Sequence, residues 1–246
     1  MALFESNNPV LKEKTFREAA ADHSNGVMTI NGTVTKMGFL LLMVMAAAVY
    51  AWGAPARGQN IMPFLLVGGI GGFILAIIIV IKKEWAPYLA PAYALAEGLF
   101  LGVISVMYSG LYDGIVLQAV GLTFGTFLGM LILYRARIIR ATERFRAIIF
   151  TATAGIAIFY LLALVLRMFN INIPFLHEGS TIGIIFSLVV VAVAALNLIL
   201  DFDMIETGAA QGAPKYFEWY ASFGLLVTLV WLYLEILRLL SKLNKR

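Results

Sequence analysis

The sequence predicts an all-α membrane protein, a bundle of seven transmembrane helices, and three observations carry that expectation. Of 246 residues, 61% are apolar and only 13% are charged. The apolar residues gather into seven runs, at 37–52, 61–81, 88–108, 114–134, 148–169, 181–200 and 219–240. A hydrocarbon layer about 30 Å thick needs about 20 residues of helix to cross it. Barrel strands would be about half as long and would alternate apolar with polar residues, which these runs do not.

Residues 1–36 are polar and mixed in sign, with Lys12, Lys14, Arg17 and Lys36 against Glu5, Glu13, Glu18 and Asp22. They are expected to form a flexible tail ahead of a transmembrane domain at 37–246. A signal peptide competes, because the first run is short and ends in Ala51-Trp52-Gly53-Ala54. The leader is too long and too acidic for one. Glycine recurs at every fourth position in run two (Gly68, Gly72), run three (Gly98, Gly102) and run four (Gly121, Gly125, Gly129). Small residues at that spacing let helices approach closely in lipid.

Arg135, Arg137, Arg140, Arg144 and Arg146 fill the short connection between runs four and five. Contact with anionic lipid headgroups accounts for them, and no nucleic acid is expected as a partner. If the N-terminus is cytoplasmic, that side holds twelve Lys and Arg and the other side six, so the positive-inside rule favours the N-terminus inside. Strict alternation then places the C-terminal group Arg238, Lys242, Lys245 and Arg246 outside.

Enzyme chemistry finds few residues. The only histidines are His23 in the tail and His177 between runs five and six, and there is no cysteine. Disulfides and thiolate metal sites are excluded, and G-x-S-x-G and H-E-x-x-H spacings are missing. No resident cofactor is expected, and the protein reads as a non-enzyme.

Carboxylates remain. Asp201 ends run six, Glu235 lies inside run seven and Glu97 inside run three. An ionisable group in a span costs several kcal/mol, so it usually turns toward the protein interior or a water-filled cavity and takes a partner. Asp201 shares a helix face with Asn197, giving run six a polar stripe, and both Asn197 and Glu97 are candidates to line a cavity. Asp203 and Glu206 lie past the apolar run and are expected to face water. Glu235 has a rival partner in Arg238, three residues on, where an ion pair forms along one helix.

Three stretches, EGLFLG at 97–102, LNLILDFDMIE at 196–206 and APKYFEWYASFGLLVTLVWLYLEILRLLS at 213–241, resemble the Bax inhibitor family, also called the transmembrane Bax inhibitor motif family, in its bacterial YccA-like branch. The resemblance implies seven helices with the last surrounded by the others, in a bacterial cytoplasmic (inner) membrane. It implies a pH-sensitive calcium leak. In that family a carboxylate at the end of segment six and another in segment seven form a paired sensor, latched by a basic residue at the end of segment two. The matching positions are Asp201 and Glu235, with Lys82 or Lys83 as the latch. This chain departs from the family pattern in carrying Glu for Asp at 235 and Lys for Arg at the latch.

Two carboxylates sharing a poorly hydrated site cannot both ionise cheaply, so the pair titrates as a unit. Calcium, a hard cation that prefers oxygen ligands, is the expected permeant or bound ion, with Asp201 and Glu235 as its ligands. A different class of function is a membrane-embedded regulator that binds another membrane protein, such as a quality-control protease, through the tail or the helices.

Overall fold

The computed structural model describes residues 26–169 and 180–245. The tail up to residue 25, with His23, and the stretch carrying His177 lie outside the described residues. Among the described residues, seven helices are long and apolar enough to cross a membrane: α1 (Ile30–Trp52), α2 (Met62–Ile81), α3 (Ala86–Ser109), α4 (Ile115–Arg135), α5 (Glu143–Met168), α6 (Thr181–Ala210) and α7 (Phe217–Asn244). The expected all-helical bundle is what forms.

Three of the seven helix starts carry a capping side chain, and at α1 the cap overrides hydropathy. Thr29 accepts the Gly32 amide at 3.0 Å, so α1 begins at Ile30 and not at 37. Residues 30–36, assigned to the tail by their polarity, are therefore its first two turns. Thr142 and Ser180 cap α5 and α6 in the same way, since each oxygen satisfies an amide that the helix itself cannot. Helix α6 runs on to Ala210, well past the apolar run that ends at residue 200.

Helix α2 is interrupted by a π-helical turn, Val67–Gly71. The close-packing glycines divide into two groups. A Cβ at Gly98 or Gly102 would run into the Val44 or Ala48 carbonyl of α1, and one at Gly68 into the Ala96 carbonyl of α3. Gly121, Gly125 and Gly129 on α4 have nothing within 4 Å of an added Cβ, so that stripe is not used inside the bundle.

Helix α7 is central and packs on α6, α1, α4 and α3. Of its apolar stretch 56% is buried, against 6% for α5. The end of the bundle that carries Lys36, Lys82, Lys83 and the arginine loop is its basic end. There Val27 pairs with Pro214 in an isolated antiparallel bridge, and Glu218, fully buried at the start of α7, accepts from the Thr29 amide (2.8 Å), the Thr29 hydroxyl (2.9 Å), Lys215 (2.8 Å) and Lys36.

Candidate functional site: a polar seam beside the central helix

Helix α5 buries one residue fully, Ile149. Phe159 and Tyr160 meet the Phe186 ring of α6 at 5.3 and 6.3 Å, and a set of polar contacts from Arg146, Thr153 and Tyr160 completes its attachment to the bundle. These last three positions are seven apart, about two turns of helix, so they lie on one face. Arg146 pairs with Asp203 on α6. Thr153 accepts from Asn197 Nδ2 at 2.8 Å, and the same nitrogen donates to the Val193 carbonyl at 2.9 Å. The Tyr160 hydroxyl donates to Glu235 of α7, 3.0 and 3.1 Å from its two oxygens.

Glu235 is almost fully buried, and its charge is balanced within its own helix. Arg238 Nη1 lies 2.7 Å from Glu235 Oε1 and 2.7 Å from the Tyr160 hydroxyl. The guanidinium also sits over the Tyr160 ring, 5.0 Å from its centroid, where the ring's negative face favours a cation. The i,i+3 partner foreseen from spacing is thus the one that forms.

Asp201 sits at another level. It lies nine residues before the end of α6 rather than at its end, and Thr228 of α7 faces its carboxyl group. Its Oδ2 is buried and has no hydrogen-bond partner among the described residues. From Thr228 to Glu235 is seven residues, roughly 10 Å of helical rise, so this conformation does not bring the two carboxylates into one site. Among the described residues no group of three or more His, Cys, Asp or Glu is placed to hold a metal ion.

The lysines differ from expectation too. Lys82 and Lys83 are exposed, and Lys83 lies over the Tyr220 and Phe217 rings at 5.3 and 5.9 Å. Tyr220 is two turns before Thr228 on α7, roughly 12 Å in rise, so neither lysine latches Asp201 here. Glu97 is half-buried elsewhere, bonded to Tyr93 with its carboxylate against Gly72 of α2.

Asp203 and Glu206 do not simply face water. Besides the Arg146 pair, Glu206 binds Tyr134 and Arg137. Two of the five loop arginines are thereby committed to α6 instead of to lipid headgroups. Arg137 adopts φ +56°, rare for a residue with a side chain, and its bond to Glu206 raises its pKa above the ordinary value.

The sequence reading missed Thr153, Tyr160 and Glu218. The seven-residue recurrence of polar side chains in an otherwise apolar run was the available signal for the first two. For Glu218 it was an acid in the first turn of a helix, with Lys215 three residues before it.

A search of curated proteins finds no match to this chain. The model of a protein family described as Bax inhibitor 1 like matches residues 8–245; with the seven spans, this identifies the chain as a multi-pass membrane protein that belongs to the Bax inhibitor family.

Proposed function

We propose that the protein is a pH-sensitive cation leak with calcium as the permeant ion, and that its route follows the seam between α5, α6 and α7. The observation that carries this reading is the buried, unpartnered Oδ2 of Asp201. A carboxylate oxygen out of water without a donor is costly, and a proton or a passing cation relieves that cost. Asn197 lies one turn away on the same face, with its amide nitrogen committed to Thr153 and Val193. Its oxygen is what it has left for a hard cation.

Glu235 is closed off by Arg238 and Tyr160 in this conformation. An arriving divalent ion competes with these donors for the carboxylate, so the route opens as Tyr160 is released. Lys82, or Lys83 swinging from the Tyr220 ring, both on the cytoplasmic side when the N-terminus is inside, moves toward Asp201 to shut the exit. The Bax inhibitor family is not an enzyme family, and the site is read as a path rather than a reaction centre.

The sign with pH follows from charge. A protonated Asp201 attracts no cation, so flux falls on acidification and rises as the acid ionises. Calcium entry into liposomes holding the purified protein, at two pH values, tests this. Asp201→Asn is expected to give low flux that no longer changes with pH, and Glu235→Gln an altered rate. Unchanged rate and pH dependence in both variants would sink the reading.

A second reading, a regulator that binds another membrane protein, is favoured by the unused glycine stripe of α4. Gly125→Leu, in that open stripe, separates the two. A leak keeps its flux, whereas a regulator docking through α4 loses its partner.

A further inference from the structure

On the side of α7 away from the polar seam lies a cavity of about 270 Å³, walled by α1, α3, α4 and α7. It shares no residue with the seam. Its floor is the central helix, where Leu226, Leu229 and Val230 are 1%, 5% and 7% exposed. Its mouth is formed by Val49 and Trp52 of α1 and Val120 and Phe124 of α4, all of them exposed. Helices α1 and α4 do not pack closely on one another, so the cavity opens sideways through the flank of the bundle.

The lining offers water almost nothing. Ser105 donates to the Leu101 carbonyl at 2.6 Å and meets the Tyr233 hydroxyl at 2.7 Å, and Thr123 donates to the Ala119 carbonyl at 2.7 Å. A buried water needs two to four polar partners, and apolar cavities without them stay dry and take apolar guests. In a membrane the phase at a lateral mouth is hydrocarbon. Trp52 closes α1 at the rim, the position where an indole sits at headgroup level beside a lipid.

We propose that this cavity binds one acyl chain of a membrane phospholipid. The headgroup stays at the interface near Trp52, and the chain passes between α1 and α4 to rest on α7. The contact with Tyr233 places it two residues from Glu235, on the other face of the same helix. A small apolar solute would not need a mouth continuous with the lipid phase or an interfacial aromatic at its rim.

The test uses the full chain in phosphatidylcholine–phosphatidylglycerol vesicles containing a phosphatidylcholine with a photoactivatable diazirine on one acyl chain. After irradiation, adducts are mapped by peptide mass spectrometry. Adducts are expected at Leu226, Leu229 and Val230 as well as at the exposed Phe150 and Leu161 of α5. Val120→Trp blocks the mouth, Val116→Trp fills the wall, and each is expected to lose the α7 adducts while keeping those on α5. The α5 adducts report insertion and folding, so a variant lacking them is set aside and the other decides. The proposal is overturned if the parent carries no adduct on the α7 floor. It is also overturned if a correctly inserted variant keeps the floor adducts, or if a short apolar diazirine labels the floor where the lipid does not.

Discussion

Helices α5 and α7 are close in length, 26 and 28 residues, and equally plain as membrane spans in sequence, yet they are held in opposite ways. Helix α7 is gripped by shape: Leu226, Leu232, Ile236 and Leu237 are fully or almost fully buried among four neighbours. Helix α5 presents most of its apolar surface outward, with Phe150 73% and Leu161 61% exposed, and is tied on by Arg146, Thr153 and Tyr160. Lipid tails are as apolar as leucine, so nothing hydrophobic drives α5 onto the bundle. Apart from the rings of Phe159 and Tyr160 against Phe186, the contacts that hold it are groups an ion can compete for. One helix is a fixed axle, and the other is attached by exchangeable bonds.

The largest effect that could break this contrast comes from truncating the core. Leu232→Ala, at a fully buried position of α7, is expected to cost about 2–5 kcal/mol. Leu161→Ala on the outer face of α5 is expected to cost less than about 0.5 kcal/mol. Thermal unfolding in detergent measures both, and similar losses would remove the distinction. Next in size is the double change Thr153→Val with Tyr160→Phe. At roughly 0.6 kcal/mol for an average interhelical hydrogen bond in lipid, it should speed amide exchange across α5 and leave α7 protected.

Calcium sharpens the comparison further. Millimolar calcium at a pH where the acids are ionised should loosen α5, seen as faster exchange there, and leave α7 unchanged. If α5 tightens or nothing moves, its ties are not what the ion meets. The smallest effect is expected at the exposed rung. Asp203→Asn removes the Arg146 pair, whose partners are partly solvated, and should cost about 0–1 kcal/mol, less at high salt.

The bundle was legible because hydrophobic length is a local property of the chain. The ends of helices were less so. Thr29 lets α1 begin seven residues before its apolar run, and α6 passes residue 200 because Asp203 and Glu206 find arginines and a tyrosine across the seam. Asp201 stood out as an acid in an apolar run, and the Glu235–Arg238 pair was visible as a spacing within one helix. The relative depth of Asp201 and Glu235 was not visible. It depends on the antiparallel register of α6 on α7, which sets Asp201 against Thr228 and Lys242 against Gly183 and Ser187. Thr153 and Tyr160 are ordinary in a membrane helix until a partner stands opposite them.

The Glu218 cluster also has a consequence for the order in which the protein is made. Thr29 and Lys36 leave the ribosome early, and the carboxylate that receives them follows 189 and 182 residues later. Helix α1 can pack on α3 as soon as that helix is made, but Thr29 and Lys36 wait for the last helix to supply their acceptor. A chain released before Glu218 emerges lacks the acceptor for the Thr29 amide and hydroxyl and for the Lys36 ammonium. The last polar contacts of the bundle thus close at its basic end, where the first and last helices of the transmembrane domain meet.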